Sequence, residues 1–177
     1  MNQRIMLTKK LLKNSLTELL HDQDIYHISI RELCENAGIN RSTFYKYYGS
    51  QFDLLKEMED DLLKSIEDFL YIEINNNNTN TLSNILQYLE EEIDFVRILI
   101  NANVDPDFPN KLFSLMSIQT MLKEHFGNSM TLNEYAYCST ALIHGAFQIV
   151  CMWLNKDDRE SPNWLADFLL KHIKRHL

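Results

Sequence analysis

Arg41, Ser42, Thr43, Tyr45, Lys46 and Tyr47 crowd one short stretch of the chain with hydroxyls and positive charge. Side chains of these types suit a polyanion. Arginine and lysine meet phosphate oxygens or the acceptor edge of guanine, and hydroxyls donate to phosphate. Phe44 and Tyr48 recur four residues apart in the same stretch and read as core rather than contact. Tyr45 and Tyr47 stand between packing and phosphate contact. The chemistry offered is recognition of a charged duplex, not bond making.

Such side chains must be held on a ridge, and the preceding residues supply the mount. Ser29 caps a short helix, with Glu32 completing a Ser-x-x-Glu capping box. Ile30, Leu33, Cys34 and Ala37 form its apolar stripe. Gly38 follows where a helix ends in a left-handed residue. Ile39 tucks under the turn, and Asn40 or Ser42 starts the second helix. Two short helices joined by a tight turn form a helix-turn-helix, whose second helix enters the major groove of double-stranded DNA. On this reading Arg41, Thr43 and Lys46 touch groove or phosphate directly. Ser29, Arg31 and Tyr45 position the backbone, with Ser42 and Tyr47 beside them.

The stretch from Ile28 to Leu55, with the helix before it, resembles the N-terminal domain of the TetR/AcrR family of bacterial transcriptional regulators. Ser-Ile-Arg-Glu-Leu (29–33), Ala37-Gly38-Ile39, Ser42-Thr43-Phe44-Tyr45, Tyr48, Ser50 and Leu54-Leu55 carry the likeness. The family typically reads Gly-x-x-x-x-Thr-Leu-Tyr-x-His-Phe-x-Ser-Lys-x-x-Leu here. Three departures from it matter. Tyr47 stands for His, Tyr48 for Phe, and Gln51 for the lysine that begins the fourth helix and contacts phosphate in family members. Beyond Leu63 the likeness is architectural only. It implies a dimer formed through the last two helices and a C-terminal helical domain that binds a small effector in some members.

Composition agrees with long helices. Of 177 residues, 45% are apolar, while Gly and Pro number only 4 and 3. The net charge of −8 sits badly with DNA, but it is unevenly spread. Residues 1–50 hold seven Lys/Arg and five Asp/Glu, for +2, so the remainder carries −10. The basic excess lies with the helix-turn-helix, as an electrostatic footprint should. It is modest, so binding is expected to be salt-sensitive and to rely on dimerisation. Cys34, Cys138 and Cys151 show no metal spacing and read as small buried hydrophobes. With no apolar leader at the start, and the run Ala141–Leu154 too short to cross a bilayer, a cytoplasmic protein is expected.

Along the chain, a first helix over Asn2–His21 turns Leu12, Leu16, Leu19 and Leu20 inward. Arg4, Lys9, Lys10 and Lys13 near its start read either as phosphate contacts or as plain solvated charge. Ser50 and Asp53 open a fourth helix running to about Ile74, a shared lever between head and body. Its cluster Glu57, Glu59, Asp60, Asp61 reads as a solvated face. The polar run Asn75–Thr81 breaks the chain, and helices follow over Leu82–Asn101 and Lys111–Phe126. Gly127-Asn128-Ser129 ends the latter. A second capping box, Thr131 with Glu134, opens a helix to Leu154 that is apolar nearly all round and needs burial on several sides. Ser161-Pro162 starts the last helix, with stripe Leu165, Phe168, Leu169, Ile173.

The expected fold is therefore all-α. A three-helix DNA-binding head spans residues 1–50, and a helical dimerisation and effector domain spans 51–177. Gly145 and Ala141 would let helices approach closely across an isologous interface. Candidate effector-lining residues are Tyr88, Phe95, Phe113, Met121, Tyr137, His144 and Phe147, each also readable as ordinary core. No phosphate-binding glycine loop, Gly-x-Ser-x-Gly elbow or His-Glu-x-x-His is present, and the six histidines are scattered. No enzyme, cofactor or metal site is expected. The sequence points to a dimeric repressor of a near-palindromic operator, released by a small effector. The competing class is a helical protein-interaction module, or a regulator controlled by a protein partner.

Overall fold

A computed structural model describes residues 3–76, 80–101, 104–126 and 130–172, with side chains from residue 72 to 76 left aside. All regular structure among the described residues is helical: α1 Gln3–Asp22, α2 Ile30–Ala37, α3 Arg41–Phe44, α4 Gln51–Asn76, α5 Thr81–Glu91, α6 Ile93–Asn101, α7 Phe108–Phe113, α8 Met116–Phe126, α9 Leu132–Leu154 and α10 Pro162–His172. They divide into two compact units, Met1–Leu62 with Ile98–Pro106, and Leu63–Arg97 with Asp107–Leu177. The division falls within α4 rather than at its start, so one continuous helix contributes to both.

The first unit is built on leucines at helical spacing. Leu12, Leu16 and Leu20 of α1 are buried, together with Leu33 and Cys34 of α2, Phe44, and Leu54, Leu55, Met58 and Leu62 of α4. Helices α1 and α2 pack closely, and the Ser15 hydroxyl, itself buried, donates to the Leu33 carbonyl at 2.9 Å. Buried donors need such partners, because an unmet one costs about 1–3 kcal/mol. Ser29 caps α2 as the sequence suggests, accepting from the Glu32 amide at 3.1 Å. The Glu32 carboxylate, however, accepts from the Gln23 amide at 2.8 Å, tying α2 back to the end of α1.

In the second unit α10 packs on α5 and α8 meets α9. Trp153 anchors the end of α9, fully enclosed, with its indole N–H donating to the Glu160 carbonyl at 2.7 Å. Arg97 donates to the Leu154 carbonyl at 2.8 Å, closing the C-terminus of α9, and Arg159 pairs with Glu90 at 2.8 Å. The Thr131–Glu134 capping box forms in full, and Ser161 caps α10 with Pro162 as its first residue.

Four expectations change. The segment Leu82–Asn101 is two helices, because the chain kinks at Glu92, whose amide closes α5 on the Tyr88 carbonyl. The segment Lys111–Phe126 is also two. Helix α7 starts early at Phe108 with Pro109 in its first turn, and Glu67 of α4 captures the amide and hydroxyl of Ser117 at the new start of α8. Asn75 and Asn76 belong to α4, not to a loop. Finally, α9 has the expected bounds but not the expected burial. At 23 residues it is, among the described residues, the one helix long and apolar enough to cross a membrane by length and composition. Yet of all its side chains only Trp153 and Leu154 are buried. Ile173 and Gly127–Ser129 lie outside the described residues.

Gly38 closes α2 with φ 65°, its amide bonding back to the Cys34 and Glu35 carbonyls. A Cβ there meets nothing within 4 Å, so a substitution meets backbone strain alone. Gly38→Ala should therefore lower stability by about 1–2 kcal/mol. Denaturant unfolding checks this; an unchanged midpoint would mean that the turn relaxes.

Candidate nucleic-acid interface

Asn40 begins α3 from an extended conformation, its side-chain oxygen accepting from the Ser42 amide and the Ser42 hydroxyl, both at 3.2 Å. Regular α-helix lasts only from Arg41 to Phe44. The chain then continues as a hydrogen-bonded turn, with the amides of Lys46 and Tyr47 reaching the Thr43 and Phe44 carbonyls and that of Tyr48 closing on Phe44. The expected second helix is thus one α-turn with a tighter extension.

This short element is sharply two-sided. Phe44 and Tyr48, at 0% and 4% exposure, face inward with ring centroids 5.5 Å apart. Arg41, Ser42, Tyr45 and Lys46 are exposed, and Thr43 and Tyr47 are half-buried. The ridge carries two cations, and the Tyr45 ring stands 58% exposed beside them. Ser42 is engaged with the Asn40 cap. Ser29 is exposed but serves as the cap of α2, and Arg31 is exposed and paired with Glu35 at 2.8 Å. An exposed i,i+4 pair holds loosely, so a phosphate can compete for that guanidinium.

A polar cluster behind the ridge escaped the sequence reading. Glu57 accepts from Lys9 at 2.6 Å and from the Tyr48 hydroxyl at 3.0 Å, and Lys13 lies 3.2 Å from it. Lys13 also pairs with Asp61. Burial is the largest single influence on the Glu57 carboxyl and pushes its pKa up. The hydrogen bonds from Lys9, Tyr48 and Lys13 together outweigh it and hold the group below its ordinary value. Burial, then the neighbouring carboxylates, push the Tyr48 hydroxyl well above the ordinary tyrosine range, so it remains a donor. Lys9 and Lys13 are therefore half-buried cations paired within the protein. The acidic stretch of α4 is not simply a solvated face, since Glu57 is tied inward and Glu59 is buried. The readable signal was spacing: Lys9 and Lys13 on α1 match Glu57 and Asp61 on α4, each pair four apart. At the start of α4, Asp53 accepts from the amides of Gly49 and Ser50 at 2.9 and 3.0 Å. Gln51 meanwhile turns its amide to the Ile25 carbonyl at 3.3 Å.

Of the effector candidates, three come together: Phe113 stands edge-on to His144 at 4.6 Å and to Phe147 at 5.3 Å. Tyr88 lies against Phe69 at 5.8 Å, and with Ser65 and Asp68 they line an open depression. Phe95 is buried, Met121 half-buried, and Tyr137 is 74% exposed. Burial drives the Cys151 thiol on α9 up to about 11, so it is an inert neutral group. Among the described residues no group of three metal-ligating side chains gathers.

Residues 15–58 match the family of bacterial regulatory proteins of the tetR type, and residues 76–175 match the C-terminal region of a class of transcriptional regulators of the same family. An uncharacterised helix-turn-helix regulator of Bacillus subtilis, YxbF, is 23% identical over 170 residues; the match takes in 88% of this chain but only 42% of that relative's length. The dhaKLM operon transcriptional activator DhaS of Lactococcus lactis is 25% identical over 139 residues, covering 75% of this chain and 68% of DhaS. Among solved structures, a TetR regulator from Streptococcus agalactiae superposes with a TM-score of 0.70 at 22% identity, covering 98% of this chain and 97% of that one. FadR of Thermus thermophilus, a repressor in complex with lauroyl-CoA, gives 0.54 at 16% identity, covering 93% and 92%. The second match alone spans more than half of the chain, and the chain belongs to the TetR family of transcriptional regulators, with a DNA-binding helix-turn-helix.

Proposed function

We propose that the chain works as a homodimer that represses transcription from a near-palindromic operator and is released by a small effector. The observation that carries this reading is the split of residues 41–48, with the Phe44 and Tyr48 rings inward and Arg41, Tyr45 and Lys46 outward. Arg41, Thr43 and Lys46 make groove or phosphate contacts, and Ser29, Arg31, Ser42, Tyr45 and Tyr47 assist at the backbone. Residues 1–50 supply the DNA-binding part and 51–177 the dimerisation and effector part. The protein acts in the cytoplasm and catalyses no reaction.

The dimer is supported by α9, an apolar helix with most of its length uncovered. Water contact along it is unfavourable at about 25 cal/mol per Å² of apolar surface. A second copy, laying its own α9 and α10 alongside, removes that surface on both sides. Two heads then face successive major grooves. The aromatic group Phe113, His144 and Phe147 is the best-formed part of an effector site, and an effector acts by binding one spacing of the heads better than the other. Relatives include an activator and a repressor by name. The sign here follows from whether the operator overlaps the promoter, and we assign repression.

Operator affinity measured across salt tests the first part. The probe is a duplex selected by the wild-type chain from random-sequence DNA. Arg41→Ala and Lys46→Ala should each weaken binding about tenfold or more with fold and dimer intact. Unaltered affinity in both would remove the ridge from the interface. For the dimer, Gly145 gives a clean probe, since a Cβ there meets nothing within 4 Å in a single chain. Gly145→Arg should preserve helicity, shift sedimentation to the monomer and abolish operator binding; a variant that stays dimeric would exclude close approach at that point.

A further inference from the structure

Lys9 and Glu57 sit where the ridge needs support. After Phe44 the backbone of residues 45–48 is a turn rather than a continued helix, so side-chain ties must fix its tyrosines. The Lys9 ammonium stands 6.0 Å from the centre of the Tyr47 ring and 5.4 Å from that of Tyr48. Attraction between an ammonium and an aromatic face operates at such distances. Glu57 fixes both partners at once, accepting from Lys9 at 2.6 Å and from the Tyr48 hydroxyl at 3.0 Å. The rings of Tyr47 and Tyr48 meet edge-on, their centroids 6.4 Å apart. Lys9 and Glu57 side chains are 27% and 29% exposed, sheltered enough for the pair to persist in salt. Glu57 can grip Tyr48 only because it carries a hydroxyl, at a position where the resembled family has phenylalanine.

From this arrangement we infer that Lys9 and Glu57 are positioning residues for DNA binding: Glu57 grips Lys9 and Tyr48, and these two set the Tyr47 ring on the recognition ridge. Lys9 acts through Tyr47 and does not itself meet phosphate, because a phosphate arriving there would face the Glu57 carboxylate as well. The inference rests on the regulator reading above.

Full-length wild type, Lys9→Met, Lys9→Arg, Glu57→Gln, Tyr48→Phe, Tyr47→Ala and the Lys9→Met/Tyr47→Ala double variant would be compared on the selected duplex. Circular dichroism and sedimentation would check each fold and dimer. Lys9→Met and Glu57→Gln should lose about tenfold in affinity with the wild-type salt slope, and Lys9→Arg should restore most of it. Tyr48→Phe, which keeps the buried ring and deletes only the hydroxyl, should lose about threefold. The double variant should bind no more weakly than Tyr47→Ala alone, as expected of residues acting in series. Three results would overturn the assignment: full affinity in Lys9→Met and Glu57→Gln, a Lys9→Met slope shallower by about 0.9, the mark of a lost phosphate contact, or additive losses in the double variant. A wild-type chain that selects no duplex at all would remove the regulator reading itself, and the positioning role with it.

Discussion

A single helical turn cannot hold itself in water, because nucleating it fixes several residues for very few hydrogen bonds. Helix α3 is four residues long, so its shape is imposed from outside. Burial of the Phe44 ring is the interaction that imposes it. That ring has no exposed surface, and Leu12, Leu16, Leu33 and Leu54 are equally enclosed within the same unit. Once Phe44 and Tyr48 are pinned inward, Arg41 and Lys46 have only the outside left. The exposed ridge is thus a by-product of core packing, and damage to the core there would disturb it without touching any exposed side chain.

Polar ties refine what packing sets. Asn40 and Ser29 close the N-termini of α3 and α2, and Gly38 allows the turn between them. Gln23 with Glu32 and Ser15 with Leu33 join α1 to α2. Glu57 joins α4 to α1 and to Tyr48. Each tie is worth little alone, since a hydrogen bond in a folded protein contributes on the order of 1 kcal/mol net. Together they leave the head few alternative packings.

Much of this was legible in the sequence because it is local. Caps at Ser29, Thr131 and Ser161, the left-handed Gly38 and the leucine repeat of α1 all depend on residues within one or two turns. The features that escaped carry no local signal. Nothing in the run Leu82–Asn101 contains proline or glycine, yet it divides at Glu92. The start of α8 is made by Glu67, fifty residues earlier in the chain. The length of α3 was overestimated because residues 41–47 suit a helix locally, while the backbone tightens after Phe44. Of the candidate DNA contacts, exposure of Arg41, Tyr45 and Lys46 followed from their spacing around Phe44 and Tyr48. Glu57 was hidden because its partners lie 48 residues away on α1 and 9 away at Tyr48. Among the effector candidates, aromatic character alone did not separate the gathered Phe113, His144 and Phe147 from the outlying Tyr137.

The bare flank of α9 has a further consequence for how such a molecule would behave inside a cell. If two chains must meet before either is useful, the population of competent species grows with the square of abundance when chains are scarce. Output would then stay near zero at low expression and rise steeply past a threshold. A newly made chain would also spend its first moments with a greasy helix facing water, which favours synthesis of both copies from the same messenger and close in time.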